Sequence, residues 1–80
     1  MHELGVLRQI VGTVERISAQ NSIGAVAYIA LEVGCESGFV PAYLHKLFPV
    51  ATDGHPVLSH TELRVATVSG VGLVIKEIGY

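Results

Sequence analysis

The sequence predicts an α+β fold, with two helices packed on one face of a three-stranded mixed sheet in the order α-β-α-β-β. Three observations carry that prediction. Apolar residues recur at intervals of three and four near the N-terminus, which is helical periodicity. Three runs rich in β-branched residues follow, bounded by glycine-containing segments. Between the first and second of these runs, Pro41 opens a segment with apolar residues again at helical spacing. The chain has 80 residues, of which half are hydrophobic and 15% charged, enough for one domain spanning 1–80 but with a thin margin over the entropy of ordering it.

The first helix takes its apolar face from Leu4, Leu7, Ile10, Val11, Val14 and Ile17, with Arg8, Gln9, Glu15 and Arg16 between them. Glu3 lies in its first turn, where a negative charge meets the positive end of the helix dipole. Asn21 and Ser22 end it. Gly12 weakens its middle by about 1 kcal/mol relative to alanine.

The run 25–33 reads as a strand that stops at Gly34 and buries Ile29, Leu31 and Val33. Ser37 and Gly38 then turn the chain into the second helix, packed by Leu44, Leu47, Phe48 and Ala51. Pro49 lacks a donor and its ring opposes a straight helix, which predicts a kink or an early stop near Phe48. Residues 53–56, Asp-Gly-His-Pro, form a loop by composition. Strands follow at 62–68 and 73–78. Between them Ser69-Gly70-Val71-Gly72 reads as a tight hairpin turn. The strand-helix-strand unit implies two parallel strands, the last two strands are expected to be antiparallel, and one sheet face is left bare. Tyr28 and Tyr80 are candidates to cover it. The small core and open sheet predict a homodimer.

Composition excludes several function classes. A net charge of −2 offers no basic footprint, so neither nucleic acid nor an anionic membrane is an expected partner. No apolar run reaches the roughly 18 residues of a membrane span, and the N-terminus does not read as a signal peptide, so the cytoplasm is the expected location. The single cysteine, Cys35, excludes an internal disulfide and any paired-cysteine zinc site, and reads as a reduced thiol. No phosphate loop, nucleophile elbow or acid-base pair is present, so an enzyme is not expected. His45, His55 and His60 show no ligand spacing and read as solvated. Glu32 and Glu36 read as a solvated strand position and a loop carboxylate rather than a dyad.

The remaining chemistry lies at the first three residues. The Met1 amine, the His2 amide nitrogen and a His2 ring nitrogen can close adjacent chelate rings. Glu3 can add its amide nitrogen or, as a poorer choice, its carboxylate. A planar nitrogen set suits Ni(II) or Cu(II) better than tetrahedral Zn(II). Binding would displace protons, so affinity should fall with pH. On chemistry alone a solvated terminal imidazole stands as the alternative. Because His2 is bulky, Met1 is expected to be retained.

Met1-His2-Glu3-Leu4 at the head of an amphipathic helix resembles the opening of the HypA/HybF family, the nickel metallochaperones of [NiFe]-hydrogenase maturation. The likeness continues in order through Leu31-Glu32-Val33-Gly34 with Glu36-Ser37-Gly38, then Pro56-Val57-Leu58 with Thr61-Glu62-Leu63-Arg64-Val65, and Val74-Ile75-Lys76-Glu77-Ile78. It implies a transiently bound Ni(II), with His2 as the essential ligand beside the Met1 amine and the backbone nitrogens up to Glu3. It also implies a maturation GTPase and the hydrogenase large subunit as partners. In one respect the sequence departs from the family. The family inserts a zinc domain with two paired-cysteine motifs between its last two strands, where this chain has only 69–72. No structural zinc is therefore expected. The alternative that follows is a metal-free interaction domain that binds maturation partners without delivering nickel.

Overall fold

The computed structural model describes residues 2–80. The elements run α1 (Glu3–Gln20), β1 (Tyr28–Gly34), α2 (Pro41–Thr52), a 3-10 turn (Pro56–Leu58), β2 (Glu62–Val68) and β3 (Leu73–Gly79). The order and the α+β class are those the sequence predicts. One core joins Leu7, Ile10, Val11 and Val14 of α1 to Ile29, Leu31 and Val33 of β1 and to Leu44, Phe48 and Ala51 of α2. Leu58 and Leu63 close it at one side.

Helix α1 ends for reasons that can be read residue by residue. The Asn21 side chain donates to the Ile17 carbonyl at 2.7 Å, Ser22 takes a left-handed φ of 56°, and the Ile23 N–H returns to the Ser18 carbonyl at 2.8 Å. These bonds satisfy carbonyls that the last turn leaves open. At Pro49 the early stop, one of the two outcomes expected there, does not occur, and α2 continues to Thr52. Pro49 is exposed, so the carbonyl deprived of its donor can face water, while Phe48 and Ala51 on either side are buried in the core. Burial of that turn outweighs the missing hydrogen bond.

The sheet order corrects a second expectation. The order is β2-β1-β3, with β1 parallel to β2 and antiparallel to β3. The last two strands are not neighbours, and 69–72 is not a hairpin turn. It is a crossing that carries the chain from one edge of the sheet to the other over the end of β1. The Gly34 N–H donates to the Gly72 carbonyl at 2.7 Å, Cys35 N–H to Val68 at 2.7 Å and Glu36 N–H to Gly70 at 2.9 Å. A Cβ on Gly34 would fall on the Gly70 carbonyl and 2.9 Å from the Val71 nitrogen. The crossing can lie this close only because residue 34 has no side chain. The physical reason for the order is burial. β1 places Ile29, Leu31 and Val33 at 1% exposure or less, and the central position in the sheet removes the open side that an edge strand leaves to water.

β3 carries a bulge. Ala30 pairs with Glu77 and Leu31 with Ile75, leaving Lys76 unpaired between them. The extra residue brings Leu73, Ile75 and Ile78 to the core face despite the uneven spacing.

The opposite face is covered by long side chains. The Tyr28 ring lies across Gly79, and the Arg64 guanidinium sits 3.7 Å from its centroid while its Nε donates to Glu62 at 2.9 Å. Lys76 reaches Glu32 at 3.6 Å. The Glu77 carboxylate beside the Tyr28 hydroxyl raises that phenol's pKa above its ordinary value. Tyr80 adds no comparable cover, being 59% exposed.

Candidate metal centre

Met1, expected to supply the terminal amine, lies outside the described residues. His2 and Glu3 stand at the head of α1. His2 is the N-cap, with φ −96° and ψ 63° and no side-chain capping bond, and its carbonyl accepts the Val6 N–H at 3.1 Å. Its side chain is exposed. The neighbour one turn on is Gly5, where an added Cβ would sit 3.8 Å from the His2 Cβ. Gly5 thus puts no side chain of its own against the His2 Cβ. The N–H groups of Glu3, Leu4 and Gly5 belong to the first turn of α1, which has no preceding turn of carbonyls to accept them. The amide nitrogens the sequence nominates therefore lie where the helix does not already use them, although the Glu3 N–H also bonds its own carboxylate.

Glu3 is divided between two roles. Its amide is at the open end of the helix, but its side chain is turned inward and only 5% exposed. The carboxylate Oε2 accepts the backbone N–H of Val40 at 3.1 Å. Val40 is the N-cap of α2 and its own carbonyl accepts from Tyr43 and Leu44. The Val40 N–H holds the Glu3 carboxyl below the usual carboxylate range, against the opposing effect of burial. Sequence reasoning placed Glu3 in the first turn but missed Val40, because the donor is a backbone group 37 residues away and no side-chain pattern advertises it.

The other titratable groups do not gather around this end. Among the described residues, no group of three or more His, Cys, Asp or Glu side chains is arranged to hold a metal ion. His45 and His60 are exposed, as expected. His55 is not simply solvated: its Nδ1 lies 2.8 Å from Glu15 Oε2 and ties the turn after α2 to α1. No local pattern marks this pair, since 40 positions separate its members. Cys35 is exposed beside the crossing.

Comparison with known proteins bears on the family and the fold. The family model described as hydrogenase/urease nickel incorporation, metallochaperone, hypA, matches residues 1–73. No curated protein sequence matches the chain. Among solved structures, the fold is similar to the solution structure of the Ni metallochaperone HypA from Helicobacter pylori. The TM-score is 0.78 at 13% sequence identity, over 96% of this chain and 72% of that one. At that identity the structural likeness speaks for the fold, and the family assignment rests on the match along the sequence. The chain belongs to the HypA family of hydrogenase and urease nickel-incorporation metallochaperones.

Proposed function

We propose that this chain binds Ni(II) transiently at its N-terminus and delivers it during maturation of [NiFe]-hydrogenase. The ligands are the Met1 amine, the amide and ring nitrogens of His2 and the amide of Glu3. The observation that carries this reading is a family match that begins at residue 1, with His2 exposed at the head of α1. The recipients are a maturation GTPase and the hydrogenase large subunit, in the cytoplasm. No helix among the described residues is long and apolar enough to cross a membrane, which accords with that setting. Residues 1–80 work as one nickel-binding domain without structural zinc, since Cys35 is the only cysteine and four residues link β2 to β3. Two copies associate, as the two outer strands each leave one edge unpaired among the described residues.

Titration of Ni(II) into protein beginning at Met1, beside His2→Ala and a variant with one residue added ahead of Met1, tests the site. Both variants are expected to lose most of the affinity. Equal binding by all three would refute it. A second reading is favoured by the short crossing at 69–72: a domain that keeps the partner surface and has given up delivery. Recovery of the GTPase or the hydrogenase subunit equally well by His2→Ala and wild type, with nickel bound by neither, would select it.

A further inference from the structure

We propose that the Glu3 carboxylate is a positioning residue rather than a nickel ligand. By accepting the Val40 N–H it fastens the first turn of α1 to the start of α2, and so holds the nitrogens of residues 2 and 3 where they take the metal. The proposal rests on the N-terminal site put forward above. Its basis is the combination of burial and partner. A carboxylate that is 5% exposed is costly unless its oxygens are satisfied, and the Val40 N–H at 3.1 Å satisfies one of them. Nothing else described at this end does the same job: His2 makes no capping bond, and its carbonyl bond to Val6 stays within α1.

For the carboxylate to reach a metal on the exposed side of the helix, it would have to leave Val40 and turn out of the protein. That would strand the N-cap donor of α2, a group already partly buried. A chelate made of adjacent backbone nitrogens and one imidazole needs its first turn held still, since each free torsion there is lost on binding. The partner of Glu3 is a main-chain N–H, so residue 40 can supply it with any side chain except proline's. The apolar Val40 side chain contributes no donor atom of its own.

The test uses protein beginning at Met1 and two substitutions at residue 3. Glu3→Gln keeps an oxygen that can accept the Val40 N–H, whereas Glu3→Ala removes it. Nickel affinity is expected to stay within about threefold for Glu3→Gln, since a neutral acceptor is weaker but still present. It should fall about tenfold or more for Glu3→Ala, as for other residues that orient a ligand from behind. The visible absorption band of bound Ni(II) should be unchanged in both, because the ligand set is the same. Equal loss in the two variants with a shifted band would make the carboxylate a ligand and overturn the proposal, and so would wild-type affinity in Glu3→Ala.

Hydrogen exchange at the Val40 amide gives a reading that needs no variant. Protection retained on nickel loading is expected, and protection lost on loading would overturn the proposal even if Glu3→Ala did not fold. His2→Ala, measured alongside, separates the two ideas. If it binds nickel as wild type does, the N-terminal site itself falls and the proposal with it. If it loses nickel while Glu3→Ala does not, only the proposal falls.

Discussion

At the scale of single residues, two glycines of similar appearance in the sequence have opposite roles. Gly34 faces the crossing, and a Cβ there would fall on the Gly70 carbonyl, which is backbone and cannot swing away. Gly12 is exposed in the middle of α1, and a Cβ there meets nothing within 4 Å. Gly34→Ala is therefore expected to destabilise by about 1–3 kcal/mol, the range for forced overpacking. Gly12→Ala is expected to stabilise by roughly 0.5–1 kcal/mol through backbone entropy alone. Chemical denaturation of the two variants with unchanged m-values reads both signs. Equal behaviour would mean that the crossing has room to move off β1. The sequence marks both positions with the same letter. The neighbouring sequence places one in a helix and the other at a strand end, but the close contact at Gly34 follows only from the path of residues 69–72, and that path depends on strand order.

Within single elements, much was legible and the exceptions have identifiable causes. α1 was readable at both ends because periodicity, Glu3 and Asn21 are local signals. The three buried positions of β1 were readable because alternation is local too. Strand order was not, since a four-residue glycine-containing link suits a hairpin as well as a crossing. The decisive fact, that β1 is buried on its core face along its whole length, emerges only when the other strands are placed. A clue did exist in β3, where apolar residues at 73, 74, 75 and 78 break strict alternation, as a bulge does. Of the candidate site, His2 was legible by position and by resemblance, whereas the Val40 contact of Glu3 was not, being a main-chain donor brought in by the tertiary fold. Pro49 shows the same limit. Propensity argued for an end to α2, and burial of Phe48 and Ala51 overrode it. Pro49→Ala should then recover part of a real cost. A proline inside a helix is about 3 kcal/mol less favourable than alanine, a difference that already includes the stiffness of proline in the unfolded chain. A gain of up to about 3 kcal/mol in unfolding free energy is expected, and a loss of stability in the same measurement would show that the ring of Pro49 packs productively.

For the molecule as a whole, the head of α1 and the crossing belong to one backbone path. Glu3 holds Val40, Phe39 N–H donates to the Ser37 hydroxyl, Ser37 N–H donates to Gly34, and residues 34–36 donate to the carbonyls of Val68, Gly70 and Gly72. Gly70 and Gly72 carry two of those carbonyls, whereas Val71 between them carries none and projects outward at 75% exposure. It is therefore the place where chain can be added without removing an acceptor. The family resemblance locates a whole inserted domain in this link. Inserting about eight flexible residues between Val71 and Gly72 lengthens the link from four to about twelve, and loop-closure entropy makes that cost about 1 kcal/mol. Nickel affinity should be unchanged, because residues 34–40 keep their acceptors and Glu3 keeps Val40. Thermal unfolding and Ni(II) titration of the insertion variant check both halves. Retained affinity with a modest loss of stability is expected; loss of nickel binding in a variant that still unfolds cooperatively would mean that the tightness of the crossing itself sets the N-terminal site.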